Sequence, residues 1–269
     1  MSLPLYDAHN HLQDEWLRPH GATVFADLAR LDELRGAVVN GTEESDWNDV
    51  ATLAREHSWV RPSFGLHPWH VKRRTPRWRD ELQRQLDAAG AQAGVGEIGL
   101  DRWIPDYDLD DQREVFVQQL RLATARNLPV TIHCLQAWGA LDEVLRDEAV
   151  PARGFLVHAY GGPEEMVGPL AKRGAYFSFN GAHLEPRRTA RRAVFQSVPI
   201  ERLLVETDAP AMCSPPEFSP FTLPPTAEGK PLNHPANLAA TYAALADLRG
   251  LPVANLAAQI EENFRRLFG

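Results

Sequence analysis

Histidines 9 and 11, in the stretch YDAHNHLQ (6–13), stand two residues apart, with Asp7 two residues before them. On an extended strand side chains alternate between faces, so Asp7, His9 and His11 would share one. Neutral imidazole is the commonest protein ligand for metal ions, and a metal is one reason to gather such groups. The other is a histidine pair satisfied by ordinary hydrogen bonds. Two ligands do not make a site, so other segments have to supply more. Groups of the right kind recur: His67 in FGLHP, Glu97 and Asp101 in AGVGEIGLD, His133 in PVTIHC, His158 in GFLVHAY, and Glu206 and Asp208 in LLVETDAP.

The elements that would carry them follow from hydrophobic periodicity. Short β-rich runs at 4–9, 36–40, 60–66, 93–98, 128–133, 154–158, 175–179 and 203–207 alternate with helical patterns at 22–34, 46–57, 76–90, 108–126, 137–147, 162–173 and 187–198. Two further helices are expected at 235–249 and 252–267. Such alternation implies parallel strands with crossover helices. Eight units in 269 residues fit a single α/β domain over 1–269, a closed (β/α)8 TIM barrel, with an open doubly wound sheet as the alternative. The proline-rich 209–234 reads as a long loop near the active-site mouth. In a barrel, chemistry gathers at the C-terminal ends of the strands. Metal-competent groups stand at six of these eight proposed ends, which packing alone does not explain.

Hydrophobic residues make up 44% of the chain, ample for a core, and no apolar run approaches the ~20 residues of a membrane span. The opening residues show no signal-peptide pattern, and the two cysteines, Cys134 and Cys213, make neither a disulfide framework nor a thiolate cluster. A cytoplasmic setting is expected, with no membrane and no obligate protein partner. A net charge of −8 argues against coating long nucleic acid through a basic face, but not against a short anionic substrate at a metal centre. Two basic runs stand out, VKRRTPRWR (71–79) and EPRRTARR (185–192). Such runs are usually solvated surface; contact with substrate phosphate is the alternative, and the second follows strand seven, where barrels often gather phosphate contacts.

The motifs DAHNH (7–11), GLHP (65–68), GEIGLD (96–101), LPVTIH (128–133), the His158 segment, LLVETDAP (203–210) and ENFRRLF (262–268) together resemble the TatD family of metal-dependent hydrolases, within the amidohydrolase-like superfamily. The resemblance implies a barrel with divalent metals that hydrolyses nucleic-acid phosphodiesters by a metal-activated water, as a TatD-type deoxyribonuclease does. It makes His9, His11, Glu97, His133, His158 and Asp208 the metal ligands. His9 and His11 would share one ion with Asp208, His133 and His158 would hold a second, and Glu97 would bridge. Two ions are expected, with zinc, manganese or magnesium all compatible with nitrogen and oxygen ligands. Asp208 would serve as base beside Glu97. His67, Tyr160 and Trp103 would contact substrate, a nucleic acid or small phosphodiester. Asp7, Asp101 and Glu206 would orient the ligands from behind. Two positions depart from the family pattern, Leu135 where an arginine is common and Gly161 in HAYGG. Both concern substrate contacts and leave the metal set intact.

Other readings fare less well. GVGEIG (94–99) matches a dinucleotide fingerprint, but Pro105 follows and no helix opens there. No G-x-S-x-G elbow occurs. Cys134 should face the outer helices, and Trp59 and Trp78 should pack, whereas Trp69 and Trp103 follow strand-end motifs and could stack bases. A metallohydrolase of amides, esters or lactones is the alternative enzyme, since metals polarise either electrophile. A non-catalytic metal-binding barrel is the remaining alternative.

Overall fold

The computed structural model describes residues 3–31 and 33–269. Eight strands form one sheet in sequence order, every adjacent pair parallel: β1 (Leu5–Asn10), β2 (Leu34–Asn40), β3 (Val60–Phe64), β4 (Gly94–Asp101), β5 (Val130–Leu135), β6 (Phe155–Val157), β7 (Ala175–Phe179) and β8 (Leu203–Val205). Helices α1 (Gly21–Arg30), α2 (Trp47–Glu56), α3 (Trp78–Ala89), α4 (Leu109–Arg126), α5 (Trp138–Asp147), α6 (Val167–Lys172) and α7 (Thr189–Val194) fill the crossovers. After β8, α8 (Leu238–Arg249) and α9 (Val253–Phe268) pack back on the first and last strands. The sheet curls into a nearly closed TIM barrel. The strands read as near-continuous buried runs because both faces are covered, one by the barrel interior and one by helices. No helix among the described residues is long and apolar enough to cross a membrane.

Local chemistry explains where elements differ from expectation. β4 runs on to Asp101 because Ile98–Asp101 stay paired with Ile132–Leu135 of β5. α6 and α7 are shorter than the 162–173 and 187–198 anticipated. Pro163 and Pro169 remove amide donors around the first, and Pro186 leads into the second through a short 3-10 turn. The loop 209–234 folds on itself through the bridge between Thr222 and Asn233.

The seam between β8 and β1 is closed without a regular ladder among the described residues. Asp208 N–H donates to the His9 carbonyl (2.9 Å) and His11 N–H to the Ala209 carbonyl (2.8 Å). Deeper in, the Asp7 carboxylate accepts from Thr207 N–H (3.0 Å) and Thr207 Oγ1 (2.5 Å). One residue away, Tyr6 N–H donates to the Tyr242 hydroxyl, which donates to the Tyr6 carbonyl, both at 3.0 Å. A single buried phenol from α8 thus satisfies both peptide groups of a seam residue. Tyr242→Phe removes it and leaves a buried donor and acceptor unpaired, a loss of about 1–3 kcal/mol. Chemical denaturation should show that loss with metal content unchanged. A variant as stable as the parent would mean that the seam finds other partners.

Candidate active site

Strand ends converge on one carboxylate. Glu97, buried on β4, has His9 Nε2 and His11 Nε2 at 3.4 and 3.3 Å from Oε2. On its other side, His158 Nε2, His133 Nδ1 and His67 Nε2 lie 2.7, 3.0 and 3.3 Å from Oε1. Asp208 follows β8 in the left-handed region (φ 51°), a conformation aspartate tolerates, and its Oδ1 lies 3.5 Å from His9 Nε2 and 3.6 Å from His11 Nε2. Seven residues from six strand ends, far apart in sequence, meet here.

The donor set fits divalent cations. His9 Nε2 and His11 Nε2 are 3.1 Å apart. With their distances to Glu97 and Asp208, five of the six edges among four donor atoms fall between 3.1 and 3.6 Å. A tetrahedral ion with bonds of ~2.0–2.1 Å needs edges of about 3.3 Å. On the other side, Glu97 Oε1, His133 Nδ1 and His158 Nε2 make a three-cornered set, the two imidazole nitrogens 3.2 Å apart. Three protein ligands leave a position free for water or substrate. Charge points the same way. Asp7, Glu97, Asp101, Glu206 and Asp208 are all buried, and among the described residues no lysine or arginine forms an ion pair with any of them.

Neighbours set the tautomers. His11 Nδ1 is 2.8 Å from the Asn40 carbonyl, which can only accept, so Nε2 of the neutral ring turns its lone pair inward. His133 Nε2 lies 2.9 Å from Asp101 Oδ2, leaving Nδ1 as the inward donor atom. Asp101 also accepts from the Trp69 indole (2.7 Å) and from Trp103 N–H (2.6 Å). His158 Nδ1 is 3.6 Å from Glu206, which Asn180 and Ser178 hold in place. His67 is different. Its Nδ1 accepts from Trp69 N–H at 3.1 Å, so the inward Nε2 carries the proton. It lies within ligand reach of Glu97 and His133, but in this tautomer it is a donor, with no lone pair to offer.

One sequence expectation needs correction. Tyr160 is not at the mouth; it is fully buried, packed against Trp138 and Phe177, with its hydroxyl donating to the Pro163 carbonyl at 2.7 Å. His67 sits deeper than the mouth, buried against Glu97. Asp7 lies behind the cluster, bonded to Thr207 and to His9 N–H (3.2 Å) rather than to any imidazole. Trp103 stands at the rim, 63% exposed, near the half-exposed Trp69. The Asn40 carbonyl, and the bond from the Trp69 indole to Asp101, escaped the sequence reading; nothing local marks a carbonyl 29 residues from His11 as its partner.

Electrostatics follow this geometry. Burial opposes charging His11, but Glu97 and Asp208 prevail and hold its pKa at about 9. Burial likewise opposes charging His158 and His133, yet Glu97 raises His158 well above the ordinary value, and Asp101 with Glu97 raises His133. Burial would raise Glu97, but His158, His67 and His9 hold it well below the carboxylate range. Burial pushes His67 down to about 4 and Asp7 up to about 7.

Protons are therefore the cations of the metal-free cluster. A histidine raised from 6.5 to about 9 stabilises the fold fully below pH 6.5 and loses that contribution as pH climbs through 9. His133 and His158 act in the same direction, Asp7 completes its loss near 7, and His67 titrates below the window. Chelator-treated protein should thus lose thermal stability between pH 6.5 and 9. Metal needs unprotonated imidazoles, so its stabilisation should grow over the same interval. Melting curves with and without metal should separate as pH rises; a constant gap would contradict this.

Similarity to known proteins agrees with this chemistry. A family model described as TatD related DNase matches residues 6–269. The uncharacterized metal-dependent hydrolase YabD of Bacillus subtilis is 27% identical over 266 residues, 98% of each chain. The 3'-5' ssDNA/RNA exonuclease TatD of Shigella flexneri is 30% identical over 240 residues, 88% of each. The crystal structure of YjjV, a TatD homologue from Escherichia coli K12, superposes with a TM-score of 0.87 at 28% identity, covering 99% of this chain and 98% of that one. With a histidine and carboxylate cluster at the strand ends of a barrel and a family match over nearly its whole length, the chain belongs to the TatD family of metal-dependent hydrolases.

Proposed function

We propose that this protein, acting as one domain over 1–269, is a two-metal nuclease that cleaves phosphodiesters of single-stranded nucleic acid. The observation that carries the reading is the division of Glu97, one oxygen facing His9 and His11 and the other facing His133 and His158. His9, His11 and Asp208 would hold one ion, His133 and His158 the other, with Glu97 between them. Zinc, manganese and magnesium all suit this mixture of donors. Divalent ions held there would supply a bound water with pKa lowered towards ~7 and a Lewis acid for a phosphoryl oxygen. The relative named as a 3'-5' ssDNA/RNA exonuclease supports the substrate class. Two unpaired cysteines suit a cytoplasmic setting.

The chain's own groups then divide the work. Asp208, which burial would raise but His9 holds below its ordinary range, stays ionised and accepts the proton of the attacking water. His67, kept neutral by burial, can turn its Nε2–H, which faces Glu97, to donate a hydrogen bond to a non-bridging phosphoryl oxygen while keeping its proton. Asp101 keeps His133 in the tautomer that turns Nδ1 inward. Trp69 and Trp103 offer exposed indole faces on which a flanking base can stack.

Chelated and metal-reconstituted enzyme, assayed in parallel on a single-stranded oligonucleotide and on an acyl ester, tests the reading. Metal-dependent turnover of the ester alone would overturn it. Asp208→Asn keeps shape and a carbonyl oxygen but loses basicity. It should lower single-turnover rates by about 10²-fold with KM little changed. Metal content measured on the same sample separates the two roles. A metallated variant nearly as fast as the parent would remove Asp208 from proton transfer.

A further inference from the structure

The two basic runs have different fates in the fold. In 71–79, Arg74 makes a two-pronged pair with Asp111 (2.7 and 2.9 Å), Arg73 lies 3.6 Å from Glu43, and Lys72 donates to the Asp106 carbonyl. In 185–192, Arg187, Arg188, Arg191 and Arg192 form no ion pair among the described residues. Their one side-chain hydrogen bond runs from Arg192 Nη1 to the Leu184 carbonyl, 3.3 Å. Arg187 and Arg191 are exposed, and Arg188 and Arg192 are half-buried. Burial, then the neighbouring charges of Arg191 and Arg187, push the Arg188 guanidinium below its ordinary pKa, with Glu185 alone opposing. Like charges are held together with no ion pair among the described residues and only Glu185 nearby to offset them, on a chain whose net charge is −8.

The place of this cluster gives it a purpose. It follows β7, at the C-terminal end of the barrel, and packs on the loop that leaves His158. A Cβ built on Gly161, three residues past His158, would lie 3.6 Å from Arg191 Nη1, and His183 Nε2 is 3.1 Å from the Tyr160 carbonyl. Among the described residues the metal-site acids form ion pairs only with histidines, and β5 ends in Leu135. Phosphates flanking the one at the metal cluster therefore need cations from elsewhere.

We propose that Arg187, Arg188, Arg191 and Arg192 form a phosphate-binding subsite for the backbone of single-stranded nucleic acid, next to the linkage that is cleaved. The proposal rests on the nuclease reading. Arginine's planar fork matches phosphate oxygens, and its charge is permanent. Geometry supplies the path. In an eight-strand ring β3 and β7 stand opposite each other, and Trp69 follows β3. A strand crossing the mouth is gripped by its bases on the β3–β4 side and by its phosphates on the β7 side, with the metal cluster between.

Metal-loaded protein tests this with two probes, a short fluorescent oligothymidylate and bis(p-nitrophenyl) phosphate, which has no flanking phosphates. The variant changes all four arginines to glutamine. A charge-matched control changes Lys72, Arg73, Arg77 and Arg79 to glutamine. Oligothymidylate binding is followed by anisotropy on a phosphorothioate version, and turnover on the ordinary one, both across a salt series. The four-arginine variant should raise Kd and KM about tenfold or more. It should flatten the slope of log Kd against log salt by about 2–3, at ~0.7 per lost phosphate contact on a single strand. Turnover of the small diester should stay within about twofold of the parent. Should the quadruple variant melt early, Arg187→Gln with Arg191→Gln, both at exposed positions, should give about half the change in slope. An unchanged slope, or an equal loss in the control, would overturn the subsite while the parent's cleavage of oligothymidylate leaves the nuclease reading standing. A parent that hydrolyses the small diester but neither binds nor cleaves oligothymidylate would overturn the nuclease reading and the subsite together.

Discussion

A buried carboxylate ringed by imidazoles is costly unless positive charge comes to it. Glu97 is such a group, with five histidine nitrogens within 3.4 Å of its two oxygens. The barrel exists to hold those strand ends at that spacing. β4 has to press deep between its neighbours, and its glycines permit this. A Cβ at Gly96 would come within 2.8 Å of Thr131 and 2.9 Å of Ser63, and Gly99 adopts φ 145° hard against the His133 backbone. Bulk at either place would move the carboxylate out of reach of one set of histidines.

Around this centre, orientation comes from groups that touch no metal position. The Asn40 carbonyl, Asp101 and Glu206 each address the far nitrogen of one histidine. They come from β2, from the end of β4 and from just beyond β8, so the tautomers depend on the same register that brings the ligands together. The seam obeys the same logic. Asp7 and Tyr242 supply bonds that a regular ladder would otherwise make, and they keep His9 level with Asp208.

The two sides of the mouth differ in what they can hold. Exposed indoles stand on the β3 and β4 loops, and guanidiniums that form no ion pair among the described residues stand after β7. Stacking tolerates any base and phosphate contact ignores base identity. Under the proposed reading, the surface would suit a single strand of any sequence better than a particular small molecule.

Much of this was legible in the sequence. Strand and helix periods gave the eight units, and ligand-type residues at their ends located the centre, because a metal requires those residue types and a barrel offers one place to gather them. The same reasoning set Asp7 behind the ligands but could not name its partner. It obeys the alternation of β1, but two residues along a strand is about 6.5 Å further from the mouth, and there it met Thr207 instead of the cluster. Tyr160 looked like a mouth residue from its distance to His158, yet a large ring gains more by burial against Trp138 and Phe177. His67 was marked by its motif, but which nitrogen bears the proton follows from the Trp69 amide. The two basic runs look alike as sequence. Folding brought Asp111 and Glu43 into ion pairs with the first run, while among the described residues no acid forms an ion pair with the arginines of the second, because a charge's partner is chosen by which elements pack together rather than by its neighbours along the chain.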